Sequence, residues 1–384
     1  VIRLLLLIPT LDRSGAEKQL TLLARGLPRD EVSVHVVALT RGGPYADELR
    51  AAGVEVTVLG KRMKFDPRAL RDLKRLVREE RPDVIHSWLF AANAYARFVT
   101  GGADGPPVIV SERCVDSWKS GWQLWLDRRL IPRTRMLVAN SESVAEFYRG
   151  VGYPADRVSV IPNGIAQPAA PSCTRDELLR ELGLPDDARL VAYVGRLARQ
   201  KRLDTLMWAA QLLRQANDRS YLLIAGDGPE AARAQDLARK LECERHVRFL
   251  GHRNDAASLL PLVDVFWLAS DFEGMSNSLM EAMAAGRPVV VSSIPPNREL
   301  VDHGEEGFLV DVGDGVGFAQ YTVRLLDDPQ LAATMGEAGR RRMQQRHSVA
   351  QMVSRHMDLY RQVAGADKPA DVPVPTGDET STPN

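Results

Sequence analysis

Val263-Asp-Val-Phe-Trp-Leu-Ala-Ser-Asp271-Phe-Glu273-Gly-Met-Ser276-Asn-Ser-Leu-Met-Glu281-Ala-Met-Ala-Ala-Gly286-Arg-Pro288-Val-Val-Val291 reads as a strand, a loop, a helix and a second strand. Residues 263–269 alternate and are rich in strand formers. Ser276 is placed to cap a helix running to about Ala285, which Gly286 and Pro288 end. One carboxylate, Glu273, therefore precedes a helix N-terminus, and another, Glu281, lies inside the helix. The N–H groups of Asn277, Ser278 and Leu279 favour an anion between them. Carboxylates accept hydrogen bonds from hydroxyls. Two of them flanking a diphosphate suit a ligand with a hydroxylated ring at each end, as in a nucleotide sugar.

The same alternation of short apolar runs with helical stretches extends through the chain, which predicts parallel sheets covered on both faces. Strands are expected near 3–8, 32–39, 54–59, 84–86, 108–110, 136–139 and 158–161. After a linker-like Pro168-Ala-Ala-Pro-Ser172 they resume near 190–195, 221–225, 247–250, 265–268, 289–291 and 307–310. The expectation is an α/β chain of two Rossmann-like domains, 1–167 and 168–348, facing a cleft where ligands meet strand carboxyl ends.

Composition sets outer bounds. The 384 residues hold 50 basic and 50 acidic side chains, so no nucleic-acid partner is indicated. Residues 1–165 carry 25 basic and 19 acidic groups, and the remainder 25 and 31. Cys114, Cys173 and Cys243 are odd in number and lack metal spacing, which predicts a reducing, cytoplasmic setting. No apolar run is long enough for a spanning helix. The histidines and cysteines form no metal cluster, no Asp-x-Asp is present and no P-loop is present, so no metal or other cofactor is expected.

The Glu273-to-Glu281 segment, with Gly286-Arg-Pro-Val-Val290 after it, resembles the nucleotide-sugar site of retaining glycosyltransferases of family 4, which have the GT-B fold. The likeness runs from about Arg3 to about Val363. It implies that Glu273 holds donor-sugar hydroxyls, that Glu281 holds the ribose, and that Gly274, Met275, Ser276, Asn277, Ser278 and Leu279 line the donor. Gly195-Arg196-Leu-Ala-Arg-Gln-Lys201 matches the family's diphosphate ligands, with Arg196 and Lys201 as the cations. Gly226-Asp-Gly228-Pro matches a turn near the donor. It also fits the dinucleotide fingerprint loosely, with Glu244 near a ribose-binding position, but no dehydrogenase constellation accompanies it. Gly15, in Ser14-Gly-Ala-Glu17, lets the backbone approach a phosphate, where the family has Gly-Gly-Ala-Glu; Ser14 and Glu17 form a capping-box pattern. The helical stretch 349–364 is expected to cross back to the first domain, and 365–384 to be disordered.

His86, ending the strand 84–86, is a candidate for cleft chemistry. Glu112 and Arg113 stand where many family members have a histidine touching donor or acceptor. An acid–base or acceptor-orienting role passes to them by resemblance. The likeness implies sugar transfer from a nucleotide-sugar donor to a saccharide or lipid-linked acceptor. The rivals are an epimerase or hydrolase of the same fold and a non-catalytic sugar-nucleotide binder. Peripheral membrane contact is a further expectation, weighed against ordinary core packing. Lys61 to Arg81 holds nine basic and four acidic residues, and Trp118, Trp122 and Trp125 fall on one helical face.

Overall fold

A computed structural model describes residues 1–100, 105–116, 119–168 and 170–366. The expected tail lies outside these residues apart from its first two positions, which belong to the last helix, Val349–Ala366. Trp118 lies outside them too.

The strands are β1 (Ile2–Thr10), β2 (Val32–Arg41), β3 (Glu55–Val58), β4 (Val84–Trp88), β5 (Val108–Glu112), β6 (Met136–Ala139), β7 (Val158–Val160), β8 (Arg189–Val194), β9 (Ser220–Ala225), β10 (Val247–Gly251), β11 (Val265–Leu268), β12 (Val289–Ser292) and β13 (Gly307–Val310). They form one sheet in the order β3-β2-β1-β4-β5-β6-β7 and another in the order β10-β9-β8-β11-β12-β13. Every pairing is parallel. The reversal of strand order falls between β1 and β4 in the first sheet and between β8 and β11 in the second. In doubly wound folds this is the crevice that holds the ligand.

β1 shows why the run is continuously apolar. Leu4, Leu6 and Ile8 pack on one face with the helices Gly15–Gly26 and Val349–Ala366. Leu5 and Leu7 pack on the other with Pro67–Glu80 and Leu89–Val99. Side chains alternate across a strand, so a strand covered twice must be apolar at every step. The second sheet has its own core, built on Val191, Phe266, Trp267 and Val290. The helix Val349–Ala366 leaves that half and buries Met352, Met357, Tyr360 and Val363 in the first. At about 1.5–3 kcal/mol per buried apolar side chain, this is a substantial tie between the halves.

Candidate active site

The two switch points face each other. From the second sheet come the turn after β8 and the loop after β11. The helix Asn277–Ala284 follows that loop, with Ser276 as its cap: the hydroxyl accepts the Leu279 N–H at 3.5 Å. Leu279 is therefore not an open anion donor, and its side chain is core. Asn277 and Ser278 keep their place at the helix mouth.

Each of the two glutamates has a lysine partner. Lys201, on the short turn Arg199–Lys201, pairs with Glu273. Glu273 is buried and also accepts the Ser270 hydroxyl at 2.6 Å. Glu281 pairs with Lys18, which comes from the other half of the chain. Arg196 is exposed and enters no ion pair among the described residues. The loop bearing it sits hard against Gly226 and Gly228. A Cβ on Gly226 would lie 1.9 Å from the Gly195 carbonyl oxygen, and one on Gly228 would lie 2.4 Å from that of Leu197. Only glycine permits these backbones to approach so closely.

From the first sheet comes the turn after β1. The Gly15 carbonyl accepts the Asn277 amide at 3.0 Å. The capping box expected at Ser14 and Glu17 does not form. Ser14 makes no side-chain cap bond, and its hydroxyl donates to the Glu17 carboxylate instead. Thr10 donates to the same carboxylate at 2.9 Å. Glu17 thus braces the loop rather than satisfying the helix N-terminus.

Asn163 and Gln19 join the two halves beside Asn277. The Asn163 amide donates to the Met275 carbonyl at 3.0 Å and to Asn277 Oδ1 at 2.8 Å. Gln19 donates to Asn277 Oδ1 at 3.1 Å and to the Gly164 carbonyl at 2.9 Å. Met275, expected to line the donor, is buried and holds Asn163 at its carbonyl. Across the gap Cys114 bridges Gly274 in antiparallel fashion, and the Val115 N–H donates to the Glu273 carbonyl at 3.2 Å. Farther out, the Glu299 carboxylate accepts the N–H groups of Glu142 at 2.8 Å and Ser143 at 2.9 Å. A carboxylate from one domain thus caps the helix Glu142–Val151 of the other.

Two candidates fall away from the cleft. His86 is 0% exposed. Its Nδ1 lies 2.7 Å from the Tyr360 hydroxyl and its Nε2 2.8 Å from that of Ser111. Burial holds its pKa well below the usual histidine value. The last helix covers this ring, so it serves the joint between that helix and the first sheet. Glu112 is buried in a polar cluster beneath the cleft. It accepts from Asn93 at 3.0 Å and lies 3.4 Å from Lys119, which also reaches Asp116 and Asp127 at 3.1 Å each. Burial pushes its carboxyl upward, against the pull of Lys119. Its carboxylate is taken up by Asn93 and Lys119 rather than presented at the surface. Arg113, next to it, stacks 4.4 Å from the Trp88 ring and donates to Asn163. Burial lowers Arg113 to about 9.

Lys18, Gln19, Asn163 and Glu299 acquire their roles from the apposition of the halves. The one sequence signal was the position of Asn163-Gly164 after β7; Lys18 had none. The described residues contain no cluster of three or more potential metal ligands, and no helix among them is long and apolar enough to cross a membrane.

The site sets the pairs Lys201–Glu273 and Lys18–Glu281 about the Asn277–Ala284 helix, and Arg196 stands exposed on the turn after β8. It can neutralise a diphosphate and grip hydroxyls at both ends, once each glutamate exchanges its lysine for a hydroxyl. The comparisons with known proteins bear on the family and the fold. Residues 13–166 match the model described as Glycosyltransferase Family 4, and 174–342 the model described as Glycosyl transferases group 1. The chain is 28% identical over 353 residues to the UDP-Gal:alpha-D-GlcNAc-diphosphoundecaprenol alpha-1,3-galactosyltransferase of Escherichia coli, covering 87% of this chain and 90% of that one. It is 29% identical over 367 residues to the alpha-maltose-1-phosphate synthase of Mycolicibacterium smegmatis, covering 87% and 91%. The crystal structure of Anabaena HepE in complex with UDP-glucose superimposes with a TM-score of 0.83 at 23% identity, over 94% of this chain and 100% of that one. The likeness to HepE shows the fold, two Rossmann-like domains in the GT-B arrangement. With both halves of the family's architecture matched in order along one chain, the protein belongs to the group 1 glycosyltransferases with a family 4 N-terminal domain.

Proposed function

We propose that this glycosyltransferase moves a sugar from a nucleotide-sugar donor to an acceptor hydroxyl with retention at the anomeric carbon, in polysaccharide or glycolipid assembly. The observation that carries the reading is the paired set Lys201–Glu273 and Lys18–Glu281 around the Asn277–Ala284 N-terminus. In the proposed step the bond from the anomeric carbon to the diphosphate oxygen breaks, and the diphosphate leaves with the electron pair. The acceptor oxygen bonds to that carbon on the same face, and its proton passes to the departing phosphate oxygen. Arg196, Lys201 and the helix N-terminus stabilise the growing negative charge. Glu273 orients the sugar and Glu281 the ribose. These fixed cations supply the neutralisation that a divalent ion would otherwise give, so transfer proceeds without one.

The reducing setting suited to three free thiols supports a cytoplasmic site. One relative's name carries a diphosphoundecaprenol-linked sugar and the other's a sugar phosphate product, so the acceptor is to be found by experiment. The UDP-glucose complex of HepE and the UDP-Gal of the E. coli enzyme's name make uridine diphosphate sugars the first probes. A thermal-shift screen identifies the donor, since a ligand at ~100 times its Kd adds about 2.7 kcal/mol. Products are then analysed with and without saccharide and lipid-linked acceptors. Transfer with retained configuration is expected. Epimerised donor, or free sugar at the same rate with and without acceptor, would overturn the reading.

A further inference from the structure

The carboxyl edge of the first sheet carries a surface that the transfer chemistry does not use. Three segments leave this edge on one face: the loop 59–66 after β3, the helix Leu89–Val99 after β4, and the helix Gly121–Leu130 beyond β5. At their tips stand Met63 (59% exposed), Phe65 (57%), Trp122 (60%) and Trp125 (64%). The alternative of a core tryptophan stripe is thereby removed for Trp122 and Trp125. The rings stand on ordered structure. Trp122 meets Phe90 edge-on at 5.8 Å, and Phe65 lies 6.4 Å from Tyr95. Phe90 and Tyr95 belong to the same helix, so the two apolar tips share one support.

The charges around these tips are one-sided. Every acid between Lys61 and Arg81 is already engaged. Asp66 is buried and caps the helix Pro67–Glu80 through the Arg68 and Ala69 N–H groups. Asp72 and Glu79 both face Arg75, at 3.5 and 3.9 Å, and Glu80 meets His35 at 2.8 Å. Arg62, Lys64, Arg68, Arg71 and Lys74 are exposed and enter no ion pair among the described residues. A single exposed apolar side chain is ordinary, but several at one edge amid unpaired cations are not. Rings that enter the headgroup layer, with cations that meet lipid phosphates, match the chemistry of an anionic bilayer surface. A soluble polyanion would use the cations but not the four apolar tips.

We propose that this edge of the first domain docks on an anionic membrane surface and turns the cleft toward an acceptor lying in it. The orientation toward an acceptor rests on the transferase reading; the docking does not. The test is co-sedimentation of the full chain with vesicles of phosphatidylcholine alone or containing phosphatidylglycerol, at low and high salt. A thermal-shift reading with the uridine diphosphate sugar is taken on the same preparations. Binding is expected only with phosphatidylglycerol, and to weaken as salt shortens the screening length. Each surface cation changes partitioning roughly fivefold. Arg62→Ala, Lys64→Ala and Arg68→Ala together therefore lower binding on the order of 100-fold. Trp122→Ser with Trp125→Ser lowers it at least about tenfold. Both variants keep the donor's thermal shift. Absent binding, or equal binding to the two vesicle types, overturns the docking even where the donor shift is normal. So does wild-type binding by the tryptophan variant, which marks a plain polyanion contact. Vesicle binding without a response to any nucleotide sugar of the screen supports the docking and counts against the donor-site reading instead.

Discussion

Gly274 lies hard against the backbone of the other half, and replacing it tests the whole arrangement. A Cβ at this position would lie 1.9 Å from the Arg113 carbonyl oxygen, 2.5 Å from its carbon and 2.9 Å from Asn140 Oδ1. The first two atoms are backbone, so no rotamer change relieves the contact. Moving from 1.9 Å to the 3.0 Å floor of real Cβ contacts takes about 1.1 Å of separation. The neighbouring Glu273 moves with it, away from the position set by Ser270 and Lys201. A misplacement of about 1 Å near reacting atoms costs on the order of 100-fold in rate, or roughly 2.7 kcal/mol in barrier. Gly274→Ala should therefore lower kcat/KM about 100-fold. Gly274 lies in the loop between β11 and the helix Asn277–Ala284, outside both sheets, so the loss should appear in turnover first, with Tm read alongside it. Gly150→Ala is the control, because nothing lies within 4 Å of its added Cβ. The assay is release of nucleoside diphosphate from the donor found by thermal shift, alongside thermal unfolding of each variant. Turnover by Gly274→Ala within about threefold of wild type would refute the claim that this apposition sets the geometry of Glu273.

Arg196→Ala and Lys201→Ala should each reduce turnover by ~100-fold or more, as for other lost electrostatic donors, and near-normal turnover in both would remove them from the mechanism. Glu281→Gln should weaken free nucleotide as much as nucleotide sugar, whereas Glu273→Gln should act on the sugar end. Titration of both ligands against each variant separates the two roles. Activity should persist in a chelator, and recovery that needs an added divalent ion would contradict a mechanism run on fixed cations. Stability should fall as pH drops from about 6.5 toward 5. His86 is held well below the usual histidine value, His347 at about 4 and His356 at about 3, in each case chiefly by burial. The unfolded chain binds those protons first, and the stability from the neutral rings is present above the unfolded value and lost below it. Glu112, pushed up by burial, takes its proton in the fold and opposes one of the three. The net uptake on unfolding is at most about two protons, so stability should fall by up to roughly 3 kcal/mol per pH unit at the acid end of this window, read from denaturant unfolding; a flat profile would mean that the rings are hydrated.

The strands, the helix of the Glu273–Glu281 segment and its cap were legible in the sequence because their causes are local. An apolar run such as Leu4–Ile8 needs cover on both faces whatever its neighbours are, and Ser276 and Gly286 act on backbone within a few residues. The resemblance in turn rested on spacing within short segments, so it reached Arg196, Lys201, Glu273 and Glu281. The tertiary structure alone decided what those groups meet. Lys18 and Glu281 are 263 positions apart, and His86 and Tyr360 are 274 apart. A histidine at a strand end reads as a cleft residue until a distant helix covers it. A glutamate near a buried core reads as acid–base machinery until Lys119 and Asn93 enclose it. The same tryptophan spacing fits a buried face or an exposed one, because periodicity shows which residues share a face but not what covers it. Burial and pairing depend on how the two sheets are apposed, and no short stretch of the chain contains that information.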